Sequence, residues 1–206
     1  MSVLLHPTYF PSISHYVAIA QMNDVVFEME DNYQKQTYRN RMYVYGANGK
    51  LSLNIPVKHT KKAGHQKYKE VKIENDFPWQ KQHWKSLQTA YRTSPFFEFY
   101  EDDIAPIFKK QHRYLLDLNM ESIETINDLL QLDTNITKTS RYELNSSSGV
   151  DARYLVNAKK EHTSLEPYTQ VFGTKHGFLN DLSILDLLFN EGTNALTYLQ
   201  AQHLHL

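Results

Sequence analysis

With 206 residues, 41% of them hydrophobic and 13% aromatic, the chain has enough apolar surface for one core of ordinary domain size, which excludes general disorder. A formal net charge of −1 excludes capture by bulk charge at nucleic acid or an anionic membrane and leaves room only for local basic patches. Without cysteine there is no disulfide frame, thiolate metal site or cysteine nucleophile, as suits a reducing compartment.

The opening MSVLLHPTYF has no basic leader, and its apolar run is too short for a signal peptide. No later stretch approaches the length of a bilayer span, so the expectation is a soluble cytoplasmic protein. Val3, Leu4 and Leu5 read as a short buried strand running into His6-Pro7-Thr8-Tyr9-Phe10-Pro11-Ser12, an ordered loop. Ser12 or Ser14 caps a helix whose apolar stripe takes His15, Ala18, Ile19 and Met22, and a strand follows over residues 25–27. In such a strand–loop–helix–strand unit the loop and the first helical turn face one crevice, where free N–H groups favour a phosphate or carboxylate.

A hairpin comes next, turning at Gly46-Ala47-Asn48-Gly49, because Asn-Gly accepts the positive φ of a tight turn. In its second arm Leu51, Leu53, Ile55 and Val57 share one face, and Pro56 marks an edge. Residues 58–72 hold six lysines against Glu70 and read as a solvated loop and edge strand. A helix starting near Pro78 carries Trp79, His83, Leu87 and Ala90 on one face. Ser94-Pro95 opens another, Pro106 a third, and Asn119 caps a fourth. From 133 to 168 the pattern leaves short strands and irregular chain equally open, with 145–149 a flexible linker. Ser183 caps a helix that Gly192 stops, and residues 195–204 form the last amphipathic helix. The expected fold class is α/β: a mixed sheet from the N-terminal βαβ unit plus the β-hairpin, with a helical middle region packed against it. A single domain is expected over 1–206, mainly βαβ and hairpin over 1–77, helical over 78–132, and mixed over 133–206.

Three blocks together, HPTYFPSISHY through the hairpin, FPWQKQHWKSLQTAYRTSPFF, and LNDLSILDLLFNEG, resemble the signature blocks of the WbqC-like family of bacterial proteins. Pro7, Tyr9, Phe10 and Pro11 match its opening, Glu30 and Asp31 its acidic pair, Lys35 the base that follows, Asn40 and Arg41 its Asn-Arg step, Trp79 and His83 its tryptophan helix, and Ser183, Asp186 and Asn190 its last block. The resemblance implies a cytoplasmic transferase of O-antigen and lipopolysaccharide synthesis, acting on activated sugars or on groups attached to them.

The stretch from Glu28 to His59 interleaves acids, bases, amides and aromatics and is the candidate site. Glu30, Asp31, Lys35 and Arg41 make an acid/base and anion clamp or, equally, a surface salt-bridge network. His83 is a core histidine or, turned toward Glu30 and Asp31, a general base. His15 fits the core better than a phosphate site, His6 is more open to function, and Asp186 reads first as a helix-surface acid or cap partner. Catalysis thus falls to Glu30, Asp31 and His83, and binding of an anionic, phosphorylated or nucleotide-activated substrate to His6, Tyr9, Lys35, Asn40 and Arg41. No metal spacing occurs, no cofactor is named by the residues, nucleic acid is disfavoured, and an oligomer is left open. The rival reading is a non-catalytic module for an anionic glycan precursor or a protein partner. A third makes 58–72 an RNA-binding surface with Tyr68 for stacking.

Overall fold

The computed structural model describes residues 1–58, 65–144, 149–160 and 163–204. The chain opens as the apolar runs dictate: strand β1 (Ser2–Leu5), helix α1 (Ile13–Ala20) and strand β2 (Asp24–Phe27), with β1 and β2 parallel and Val3 opposite Val25. The hairpin is β3 (Arg41–Gly46) and β4 (Gly49–Asn54), with Gly46 paired to Gly49 and the positive φ, 98°, at Gly49. Helices α2 (Trp79–Tyr91), α3 (Phe97–Lys109) and α4 (Leu115–Leu130) follow. Strands β5 (Asn135–Lys138) and β6 (Val150–Asp151) come next, then α5 (Gly173–His176), α6 (Ile184–Glu191) and α7 (Ala195–Ala201).

Strands β5-β2-β1-β6, all parallel, form one sheet in that order, and the hairpin stands apart as a two-stranded sheet of its own. The α/β class and the helical middle are as expected. After β1 the chain goes to one side for β2 and much later fills the other side with β6, so the order in which strands are added reverses beside β1. Ligands of open parallel sheets lie outside the carboxyl ends of the strands at such a reversal. The apolar faces of α1, α2, α3, α4 and α6 meet the hairpin in one buried cluster that includes Tyr16, Val44, Leu87, Ile104, Ile123 and Leu188.

Several expectations need correcting. Pro106 lies inside α3 and does not open a helix. The stripe of Phe97, Tyr100, Ile104, Ile107 and Phe108 continues across it, and burying those side chains outweighs the hydrogen bond the ring forfeits. The cap before that helix is Phe96, past Ser94-Pro95. Asn119 sits within α4, fully buried, because Leu115 N–H pairs with the Val71 carbonyl and starts the helix one turn earlier. Around α1, Ser14 N–H donates to Asp181 Oδ1 at 2.8 Å and Ile13 N–H to the Leu182 carbonyl, so the chain's own groups take the helix terminus where an outside anion was expected. The expected linker falls mostly on residues 145–148, outside those described.

Candidate functional site

The loop after β1 is buried throughout residues 6–12, and backbone pairing decides what lies against it. Tyr9 N–H donates to the Tyr38 carbonyl, bringing residues 37–41 beside His6. Tyr68 N–H donates to the Asp31 carbonyl, drawing 31–33 against 66–68. The result is a buried ionic cluster. Arg39, fully buried, uses Nη2 twice: to Asp31 Oδ2 at 2.9 Å and to His6 Nε2 at 3.0 Å. His6 Nε2 lies 3.3 Å from the same carboxylate oxygen. Since a guanidinium only donates, His6 Nε2 is the acceptor and its proton sits on Nδ1. Burial first, and then Arg39, hold the His6 pKa well below the ordinary imidazole value, while the Glu28 backbone acts the other way. Asp31 also accepts from Asn32 N–H at 2.6 Å and keeps 12% of its side chain accessible, so it is the member of the cluster that reaches solvent.

Arg39 is pinned from behind. Its carbonyl accepts from Asn119 Nδ2, its guanidinium lies 5.5 Å from the Tyr68 ring centre, and Tyr68 donates to the Pro7 carbonyl. Arg39 Nε and Nη1 have no hydrogen-bond partner among the described residues. The sequence places Arg39 with Glu28, Glu30, Asp31, Lys35 and Arg41 in the charged segment that could wall a polar ligand, but assigns it no role of its own, because nothing in the local pattern separates a buried arginine from a surface one.

Beside this cluster a cleft of about 450 Å³ gathers Tyr33, Lys35, Asn40, Arg41, Lys58 and Phe77. Three of the expected anion-binding residues, Lys35, Asn40 and Arg41, thus share one concavity. Arg41 Nε and Asn40 Oδ1 are buried without hydrogen-bond partners among the described residues. Lys58 pairs with Glu74 at 3.4 Å, and Phe77 is 63% exposed at the rim. Tyr33 stacks on Tyr68 and so stands between cleft and ionic cluster, and burial pushes its phenol up to about 12, with Arg39 and Arg41 opposing.

The remaining expected residues lie elsewhere. Tyr9 and His83 form a buried pair, Tyr9 hydroxyl to His83 Nδ1 at 3.0 Å, with Trp79 against both rings. Burial brings the His83 pKa down to about 4, and the Asn54 backbone opposes the shift. None of the hydrogen bonds found for His83 goes to Glu30 or Asp31. Glu30 points the other way and pairs with Lys69 at 2.7 Å, while Lys67 Nζ donates to its carbonyl. Two lysines of the basic stretch are therefore spent on Glu30, and residues 59–64 of that stretch are outside those described. His15 is buried edge-on to Tyr38. Asp186 is no surface acid: it is fully buried and accepts from Tyr91 at 2.6 Å and from Gln170 at 3.0 Å, with Tyr168 as a third donor.

At the carboxyl ends of the sheet a second crevice, of about 240 Å³, is lined by Leu4, Val26, Glu28, Lys138, Ser140 and Arg141. Among the described residues no three histidine or carboxylate side chains gather as a metal site requires, and no helix is long and apolar enough to cross a membrane.

The sequence from residue 6 to 164 matches the profile of the WbqC-like protein family. The chain belongs to that family. The match includes every residue of the ionic cluster and, apart from Leu4, the lining of both crevices, and it ends before Ser183, Asp186 and Asn190. An uncharacterized protein of Mycobacterium tuberculosis, Rv1507c, is 27% identical over 227 aligned residues, covering 96% of this chain and 96% of its own. No solved structure matches.

Proposed function

We propose that this WbqC-like protein is a group-transfer enzyme acting on a phosphorylated or nucleotide-activated small molecule, such as a sugar nucleotide or an amino or acyl group attached to one, in bacterial surface polysaccharide synthesis. The family supports the setting, and one observation carries the chemistry. A solvent-touching carboxylate, Asp31, is oriented by a buried arginine at the carboxyl edge of a parallel sheet, next to a cleft presenting Lys35, Asn40 and Arg41. In this reading Arg41 and Lys35 take the donor's phosphate, since a guanidinium fork matches phosphate oxygens at two points. Asp31 takes the proton of the acceptor's hydroxyl or amine as that atom bonds to the transferred group, and the donor's phosphate leaves with the electron pair of the broken bond. Arg39 fixes the direction of Asp31 and keeps His6 in its Nδ1–H form. His83 and Tyr9 support the loop from behind, and Glu30 ties Lys67 and Lys69 of the basic stretch to it.

Thermal shift with a panel of nucleotides and sugar nucleotides selects the donor, because a ligand of the folded state alone must stabilise it. Mass spectrometry of donor–acceptor mixtures then reads transfer. Asp31→Asn is expected to abolish transfer while binding persists, and Arg41→Ala to weaken the donor by about 1.5–3 kcal/mol. Donor binding by wild type without transfer to any acceptor sinks the enzymatic reading. It leaves the second one, a module that holds an anionic glycan precursor, which the near-complete enclosure of His6 and Arg39 favours.

A further inference from the structure

Glu28 follows β2 directly and has a carboxylate that the fold only half satisfies. Its side chain is fully buried, yet it lines the crevice at the carboxyl ends of β1, β2 and β5. Oε1 accepts from Glu30 N–H at 2.7 Å and from the Thr139 hydroxyl at 3.0 Å. Oε2 has no hydrogen-bond partner among the described residues. Its nearest cation among the described residues, Arg153 Nη1, is 3.9 Å away, beyond hydrogen-bonding reach. That guanidinium is already committed to the Asp151 carboxylate and to the carbonyls of Glu143 and Leu144. A buried carboxylate oxygen with no donor among the described residues is costly, and on the wall of an open crevice it is placed to accept from a ligand hydroxyl.

Position narrows the donor. In open parallel sheets the acid at the end of the second strand, about 20 residues beyond the first loop, is placed to accept hydroxyls of a sugar ring. Glu28 stands at that place, one strand over from His6. Lys138 and Arg141 at the mouth supply positive charge, and Arg141 is only partly neutralised by Glu143 in its exposed pair. We infer that Glu28 Oε2 accepts a hydroxyl from a vicinal diol, either the ribose of a nucleotide or the ring of a sugar phosphate, in the crevice between β2 and residues 138–143. The inference rests on the proposed function for its ligand class and adds the group that recognises the sugar.

The test is calorimetric titration of the full chain with ADP, 2′-deoxy-ADP, glucose 1-phosphate and inorganic phosphate. In Glu28→Gln the amide oxygen still accepts from Glu30 N–H and Thr139, but an NH₂ replaces Oε2. Affinity for the diol probe is expected to fall at least about tenfold, with phosphate binding unchanged. Ser140→Trp, at an exposed position on the crevice wall, is expected to cause the same loss and serves if Glu28→Gln does not fold. A ribose ligand shows as weaker binding of 2′-deoxy-ADP than ADP to wild type; a sugar ligand shows as variant effects on glucose 1-phosphate alone. The inference is overturned if neither diol probe binds wild type, or if both bind both variants as they bind wild type. Arg41→Ala separates it from the proposed function: loss of every phosphate probe there, with Glu28 and Ser140 variants silent, keeps the anion cleft and removes the diol site. The converse pattern keeps the diol site alone.

Discussion

Replacing Arg39 by methionine tests whether the ionic cluster is a buried device or a surface pair. Methionine fills most of the stem's volume but removes the donors reaching Asp31 at 2.9 Å and His6 at 3.0 Å. Breaking a buried pair by removing one partner costs about 3–5 kcal/mol, since the other charge is left uncompensated. Asp31 keeps its bond from Asn32 and 12% access to water, which puts the expected loss at the lower end, about 3 kcal/mol. For a chain of this size that is a melting-point drop of about 6–12 °C. Urea unfolding at neutral pH measures it, with an unchanged dependence on denaturant showing that the folded state is intact. The same variant removes the Arg39 contribution that depresses His6, so the His6 titration followed by NMR should move upward. A stability loss under about 1 kcal/mol, the size of an exposed ion pair, would refute the buried cluster.

The histidines give a pH dependence with a definite sign. His83 has its folded pKa lowered from 6.5 to about 4, so it contributes stability above pH 6.5 that is lost as the pH falls toward about 4. About 2.5 pH units at 1.36 kcal/mol each amount to about 3 kcal/mol, and His6 acts in the same direction. Unfolding free energies between pH 7.5 and 4 should therefore fall less steeply in His83→Gln than in wild type, and parallel profiles would exclude the assignment. Asp186→Asn leaves a hydroxyl of Tyr91 or Tyr168 without its acceptor and should lower stability by about 2–3 kcal/mol in urea unfolding. A change within about 0.5 kcal/mol would return Asp186 to the helix surface. Gly192 has φ +55° and ψ −122°, and a Cβ there would lie 2.5 Å from Phe96 Cδ1, so Gly192→Ala should cost about 2–4 kcal/mol. An unchanged melting temperature would contradict that packing.

The elements legible in the sequence are those whose signal is local. Val3–Leu5 and Val25–Phe27 are short apolar runs on either side of a helical stripe, and Asn48-Gly49 carries a turn conformation in two residues. The pattern leaves β5 open between strand and irregular chain and gives no sign of β6, because their pairing is not local: Val150–Asp151 is a strand only because Val3 and Leu4 lie beside it. Residue type marks Pro106 and Asn119 as helix boundaries, and the burial of their helices decides otherwise. In the candidate site, grouping Lys35, Asn40 and Arg41 was legible as a cluster of charge and amide close in sequence. His83 was legible only as a residue on a buried stripe, and whether it faced Tyr9 or Asp31 depended on helix placement. Arg39 and Asp31 meet because separate backbone pairings at Tyr9–Tyr38 and Asp31–Tyr68 bring their segments to the same loop, a fact no window of sequence contains.

Both crevices follow from one feature of the chain: the segment leaving β2. Between Glu28 and Arg41 it passes the carboxyl end of the sheet and then runs across to the hairpin. It presents Glu28 to the sheet crevice and Asp31 to His6 and Arg39, and brings Lys35 and Arg41 to the second cleft. Glu28 and Asp31 are separated by two residues and joined through the Glu30 N–H that binds Glu28 Oε1. On the inference above, a ligand whose sugar ring is held by Glu28 and whose reacting group is served by Asp31 spans these two neighbouring positions of one segment. Affinity for the diol and the effect of Asp31→Asn should then be coupled in a double-mutant cycle, whereas Glu28 and a distant buried acid such as Asp186 should be additive.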